Sequence, residues 1–218
     1  MTLLSNKVAL VLVDVQYDFL ETGTLPVPKS SEIIPVITKL MKLIKDNGGL
    51  IVATQDWHPD NHVSFASNHK DKLPFQSTII YHQGIPVNQV LWPVHCVQNT
   101  HGAHIVDAIP SELIDYTVQK GLNHNVDSYS GFADNQYFEI TKLAKILYQN
   151  HIETVIIVGL AADYCVKMTC LDAIKFGFKT ILIKEATRSV NPDEFDSTME
   201  LLNSKGVIIA HAKDLAIA

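Results

Sequence analysis

The stretch Thr154-Val155-Ile156-Ile157-Val158-Gly159-Leu160-Ala161-Ala162-Asp163-Tyr164-Cys165 constrains this chain more than any other. An unbroken apolar run dominated by Val and Ile reads as a strand buried on both faces, the kind a parallel sheet contains. Beyond Cys165 the period changes. Val166, Cys170, Ala173, Ile174 and Gly177 recur at helical spacing, with Lys167, Asp172 and Lys175 between them. Cys165 therefore stands where a buried strand hands over to a helix. Unpaired peptide N–H groups and the helix dipole favour an anion there, which predicts a thiol pulled below its free value of about 8.5. Most free cysteines are packing residues, so the rest of the chain has to decide between packing and chemistry.

The same strand signature recurs. Val8 to Val13 is continuous and apolar and ends at Asp14. Leu50 to Thr54 is a second buried strand, and Gln55-Asp56-Trp57-His58-Pro59 leaves its end. Tyr116 to Gln119 reads as a short strand ending at Lys120; Thr180 to Ile183 and Val207 to Ile209 complete the set. Between them, Ser30 or Ser31 is placed to cap a helix with a stripe of Ile33, Ile34, Val36, Ile37, Leu40, Met41 and Ile44, closed by Asn47-Gly48-Gly49. Further helices are predicted at His104 to Ile109, on the stripe Tyr137, Ile140, Leu143, Ala144, Leu147, and near Glu194 to Ser204. From Pro59 to about Thr100 no clean period is visible, and a long irregular stretch in a compact domain is usually functional.

Strands alternating with helices predict an α/β fold: three layers, α/β/α, with a mostly parallel sheet of about six strands. At 218 residues a single domain over 1–218 accommodates it. A net charge of −6 without a basic block argues against nucleic acid and anionic membranes as partners. No apolar run reaches the length of a membrane span, and the first residues lack the parts of a signal peptide. Three cysteines, Cys96, Cys165 and Cys170, form no disulfide framework, which predicts a reducing, cytoplasmic location.

In open parallel sheets the site lies beyond the carboxyl ends of the strands. Here those exits carry Asp14, Asp56 with His58, Lys120 and Cys165. A carboxylate beside a thiol can take its proton, and an ammonium stabilises both charges, so Asp14, Lys120 and Cys165 make a nucleophile set. Asp56-x-His58 with His95 offers one oxygen and two imidazoles. That set suits a divalent transition ion with positions left open, zinc first, with manganese and iron as alternatives. His62, four residues after His58, is a candidate further ligand. His69, His82, His101 and His104 are expected to be surface or core histidines.

Taken together, Asp14-Val15-Gln16-x-Asp18-Phe19, Asp56-Trp57-His58-Pro59, Trp92-Pro93-Val94-His95-Cys96, Lys120-Gly121 and Gly159-Leu160-Ala161-x-x-Tyr164-Cys165-Val166 resemble the ordered motifs of nicotinamidases, within the isochorismatase-like cysteine hydrolases. Tyr129-Ser130-Gly131-Phe132 also resembles the segment after the family's lysine. The resemblance runs from about Val8 to Arg188 and implies hydrolysis of nicotinamide to nicotinate and ammonia, in NAD salvage, through a thioester on Cys165. It implies Asp14 as proton shuttle, an oxyanion hole from the N–H groups of Ala161 and Cys165, and a cis bond between Leu160 and Ala161. The ion on Asp56, His58 and His95 would bind the ring nitrogen, with Phe19, Trp92, Tyr129 and Leu160 around the ring. The expected partner is a small molecule, and a homo-oligomer stays open. Two other readings remain: another amide or vinyl-ether hydrolase of the superfamily, or a non-catalytic protein binding nicotinamide or metal. The Asp56, His58, His95 set disfavours the first, and the intact Asp14, Lys120, Cys165 set the second.

Overall fold

The structure of the protein, a computed structural model, describes residues 2–217. The chain starts with β1 (Thr2–Leu4) and β2 (Val8–Val13), then passes short 3-10 turns at Tyr17–Phe19 and Ser30–Ile33 into α1 (Ile34–Asp46). β3 (Leu50–Asp56), β4 (Ser77–His82), β5 (Ile85–Val90) and β6 (Tyr116–Lys120) follow. The second half runs through α2 (Leu143–Gln149), β7 (Thr154–Leu160) and α3 (Lys167–Lys175). It ends with β8 (Lys179–Arg188), α4 (Phe195–Ser204), β9 (Ile208–Ala210) and β10 (Leu215–Ile217). Six strands form one sheet, parallel at every pairing, in the order β6-β3-β2-β7-β8-β9. β1 pairs with β10, and β4 with β5, outside it.

Alternate residues of a strand face opposite sides of the sheet, so the central runs divide between two cores. Leu10, Leu12, Ile156 and Val158 pack with Ile37, Leu40, Met41 and Ile44 of α1. Ala9, Val11, Val155 and Ile157 pack with Leu143 and Leu147 of α2, Cys170 and Ala173 of α3, and Met199 and Leu202 of α4. Each fully buried Val, Leu, Ile or Met contributes about 1.5–3 kcal/mol through removal from water. The result is the expected α/β/α sandwich, helices covering both faces. From β2 the chain steps outward to β3 and β6, and from β7 the other way to β8 and β9. The order therefore reverses between β2 and β7, where a crevice forms at the carboxyl ends. Gly159 lets those two strands meet: its φ is 114°, and a Cβ there would fall 2.1 Å from the Val13 carbonyl oxygen.

Several local expectations are corrected. His104 to Ile109 is not a helix: Ile105 bridges antiparallel to Gln16, and Val106 N–H donates to the Val15 carbonyl at 3.1 Å. These backbone groups pair across the chain rather than along it. The helix expected from Tyr137 starts only at Leu143, because the Asp134 carboxylate accepts the N–H groups of Gln136, Phe138 and Glu139 and holds that segment in a turn. Neither Ser30 nor Ser31 caps α1 by its side chain; the N–H and hydroxyl of Ser31 donate to Glu21 instead. The stretch from Pro59 to Thr100 contains the β4–β5 hairpin, turned by Gln83 and Gly84, both at positive φ.

Candidate active site

The carboxyl ends of the central strands bring four charged or reactive side chains to one place. Asp14 leaves β2 with a left-handed φ of 47°, and Asp56 and Lys120 are register partners at the ends of β3 and β6. Cys165 lies in the π-helical turn Ala162–Val166 that joins β7 to α3. Lys120 is the hub. Its ammonium is 2.9 Å from Oδ2 of Asp14, 2.5 Å from Oδ1 of Asp56 and 3.6 Å from Sγ of Cys165, and it donates to the Ser128 carbonyl at 2.8 Å. Thr54 fixes the other oxygen of Asp14. Its hydroxyl donates to Oδ1 at 2.6 Å and accepts the Asp14 N–H at 3.2 Å. Oδ2 of Asp14 is left facing the ammonium with no further hydrogen bond, open to a proton from the thiol.

Burial sets the electrostatics of this cluster, and the charges then sort it. Burial and the neighbouring Asp56 push the Asp14 carboxyl up, against the pull of Lys120. For Asp56 burial acts the same way but is outweighed by Lys120 and His58, so its carboxyl is held well below the usual range. Burial opposes the charge of Lys120, yet the two carboxylates hold its pKa well above normal. The expectation of a lowered thiol is corrected: burial pushes Cys165 well up, Lys120 opposes this, and Asp14 adds to it. Burial thus favours the thiol over the thiolate at Cys165, and both this group and the Asp14 carboxyl are shifted toward holding a proton.

On the far side of Asp56, its Oδ2 faces Nε2 of His58 at 3.5 Å and Nε2 of His95 at 3.9 Å. One donor atom from each of the three lies within 4.8 Å of the others, and all three side chains are buried. Each imidazole is oriented through its other nitrogen: Nδ1 of His58 contacts the Gly121 carbonyl at 2.9 Å, and Nδ1 of His95 the Pro93 carbonyl at 2.8 Å. A carbonyl only accepts, so each Nδ1 carries the hydrogen and, in the neutral ring that a metal ion requires, each Nε2 presents a lone pair. Burial and the neighbouring His58 hold His95 down to about 4, while for His58 the Asp56 carboxylate overrides burial and raises it. One oxygen and two imidazole lone pairs converging in a buried space fit a divalent metal ion. His62 is placed differently. The Ser64 N–H donates to its Nδ1 at 3.3 Å, and its Nε2 contacts the Val126 carbonyl at 3.2 Å, so both nitrogens are engaged. Its ring stacks on His58 at 4.1 Å, and burial keeps it neutral, down to about 3.

A narrow recess opens between the two halves, reaching Cys165 and Ala161 on one side and Asp56 and His95 on the other. Phe19, Trp92 and Tyr129 line it, and Trp92 Nε1 donates to the Tyr129 hydroxyl at 3.2 Å. Leu160 does not line it; it is fully buried in the core below, which corrects its expected place beside the substrate. The peptide between Leu160 and Ala161 is cis. Four lining residues were not anticipated from the sequence as parts of the pocket: Leu25, Asp127, Tyr164 and Val190. Tyr164 packs edge-on against Trp92 at 4.7 Å, and Asp127 accepts a hydrogen bond from Gln89 of β5 at 2.8 Å. Tyr164 was within reach of the sequence, next to the cysteine in the same motif; Asp127 sits in a loop without a period to mark it.

Comparison with known proteins agrees with this architecture. The isochorismatase domain matches residues 8–214. The nicotinamidase of Saccharomyces cerevisiae is 42% identical over 193 residues, 84% of this chain and 89% of that protein. Among solved structures, a nicotinamidase/pyrazinamidase of Acinetobacter baumanii superposes with a TM-score of 0.89 at 38% identity, covering 97% of this chain and 99% of that one. The pyrazinamidase of Pyrococcus horikoshii, solved in complex with zinc, gives a TM-score of 0.77 at 37% identity over 94% and 99% of the two chains. Matches of this extent reflect common descent: the chain belongs to the isochorismatase family.

Proposed function

We propose that the protein is a metal-dependent cysteine amidohydrolase that converts nicotinamide to nicotinate and ammonia. The observation that carries this reading is the position of Lys120, whose ammonium touches Asp14 and Asp56 and lies 3.6 Å from the sulfur of Cys165. Asp14 takes the thiol proton as Sγ attacks the carboxamide carbon, and Lys120 balances the charge that develops. The N–H groups of Ala161 and Cys165 receive the oxyanion. Asp14 returns the proton to the departing ammonia, leaving a thioester on Cys165. It then deprotonates the water that hydrolyses the thioester, and nicotinate leaves. Phe19, Trp92 and Tyr129 hold the flat ring from its faces and edges.

Asp56, His58 and His95 would hold the ion, which when bound supplies an electron-pair acceptor for the ring nitrogen and so fixes the ring's place. Zinc suits one carboxylate and two imidazoles, and the zinc complex of the Pyrococcus horikoshii relative supports that choice. His62 packs against the ring of His58, and with both of its nitrogens on protein partners we leave it outside the ligand set. No helix among the described residues is long and apolar enough to cross a membrane; with free cysteines only, we place the protein in the cytoplasm. The test is direct: zinc-loaded protein given nicotinamide should release ammonia and nicotinate in equal amounts, and Cys165→Ala should release none. Loaded protein that leaves nicotinamide intact would overturn the reading.

A further inference from the structure

Two residues of the first motif have no place in the chemistry above, yet both are built into the site. Gln16 is fully buried. Its amide oxygen accepts the N–H of Asp56 at 2.8 Å, and its amide nitrogen donates to the Asp56 carbonyl at 2.9 Å and to the Ala103 carbonyl at 2.8 Å. The side-chain amide thus pairs with the Asp56 peptide as a neighbouring strand would, beyond the point where β2 has ended. Asp18 grips the other arm. Its Oδ2 accepts the N–H of Cys96 at 2.7 Å, directly after His95, while the carbonyl of Cys96 accepts the N–H of His58 at 3.0 Å. Cys96 is buried and held at a φ of 47°, a conformation that non-glycine residues adopt rarely. Behind Asp18, a Cβ on Gly102 would fall 2.2 Å from both carboxylate oxygens, so a side chain at that position would push the carboxylate from its place.

We propose that Gln16 and Asp18 are positioning residues that set the spacing of Asp56, His58 and His95 for the ion. This rests on the reading that those three residues hold a metal. One short segment then serves the whole site by alternate residues: Asp14 meets Lys120, Gln16 fixes the carboxylate donor, and Asp18 fixes the peptide joining the two imidazole arms. Both act through backbone groups of the donors' own segments, so neither touches ion or substrate. Partners of this kind typically change metal affinity by about 10–100-fold when removed.

The experiment is zinc binding measured by competition with a chromophoric chelator, on the parent protein, His95→Ala, Gln16→Met, Asp18→Ala and Asp18→Asn. Melting of each metal-free protein is followed alongside. The parent should bind zinc and His95→Ala should lose it; failure of that pair brings down the metal reading itself. With the pair in order, Gln16→Met and Asp18→Ala should each weaken zinc binding by about 10–100-fold, and with zinc saturating their kcat should recover. Asp18→Asn, whose amide oxygen still accepts the Cys96 N–H, should melt near the parent and keep most of its zinc affinity. Parental zinc affinity in Gln16→Met and Asp18→Ala overturns the proposal. So does a loss in Asp18→Asn equal to that in Asp18→Ala, which would reflect only the missing charge. Should Gln16→Met fail to fold, the two Asp18 variants decide alone.

Discussion

Lys120 donates to Oδ1 of Asp56 at 2.5 Å, while Oδ2 of the same carboxylate faces the imidazoles of His58 and His95. A single carboxylate therefore joins the thiol half of the site to the metal-binding half. The ammonium and an ion would draw on opposite oxygens of Asp56, so the two halves are electrostatically coupled.

Lys120→Met exposes that coupling. Removing one partner of a buried ion pair typically costs about 3–5 kcal/mol, because an uncompensated charge stays behind; here two carboxylates, Asp14 and Asp56, are left facing each other. The metal-free variant should melt well below the parent and lack turnover. The negative potential left behind should favour a cation, so added zinc should raise its melting temperature by more than it raises the parent's. Scanning calorimetry with and without zinc checks the sign of that difference.

His62→Gln separates stacking from coordination. With Nδ1 taken by Ser64 and Nε2 by the Val126 carbonyl, the imidazole has no lone pair aimed at the ion. Zinc affinity should stay within about threefold of the parent, against the 10–100-fold typical of residues that orient a ligand. Chelator competition beside His95→Ala gives both numbers on one scale, and a loss matching that of His95→Ala would make His62 a ligand.

How much of this was legible in the sequence follows from where each residue sits. Asp14, Asp56 and Cys165 each follow a buried apolar run, and such runs announce both the sheet and its ends; Lys120 ends a short edge strand, Tyr116–Lys120, in which only Val118 and Lys120 itself are buried. Asp127 and Gln89 were illegible. The first lies in an irregular loop, and the second on a short hairpin whose alternation is broken by Pro86. The helix expected from Tyr137 failed because apolar spacing cannot reveal that Asp134 takes the N–H groups a helix would use. The thiol was misjudged for a related reason: a helix start is visible in the sequence, but the burial that outweighs it is a property of the packed molecule.

Cys165→Ala should keep the recess while removing the bond-forming atom. Its neighbours Ala161 and Tyr164 line the same wall and depend on the turn rather than on the sulfur. Nicotinamide should bind to the zinc-loaded variant within a few-fold of the parent's affinity, and no nicotinoyl adduct should appear by mass spectrometry after an acid quench. An adduct on the variant would place the covalent step on another residue.

Asp14→Asn should move thiol reactivity and turnover in opposite directions. Burial raises the Cys165 thiol first, and the Asp14 charge raises it further, against Lys120. A raised thiol pKa keeps the sulfur protonated at neutral pH, so alkylation of the resting parent by iodoacetamide should climb about tenfold per pH unit and show no plateau through pH 9. Neutralising Asp14 removes one cause of the rise while Lys120 stays, which shifts the climb to lower pH and makes the variant alkylate faster than the parent at any pH below the plateau. Turnover should nevertheless fall by about 10²-fold or more, because the amide can neither take the thiol proton nor return it to ammonia. Rates of alkylation and of ammonia release, followed from pH 6 to pH 9 on the same preparations, test both signs. If alkylation and turnover fell together, Asp14 would be generating a resting thiolate instead of shuttling a proton during attack.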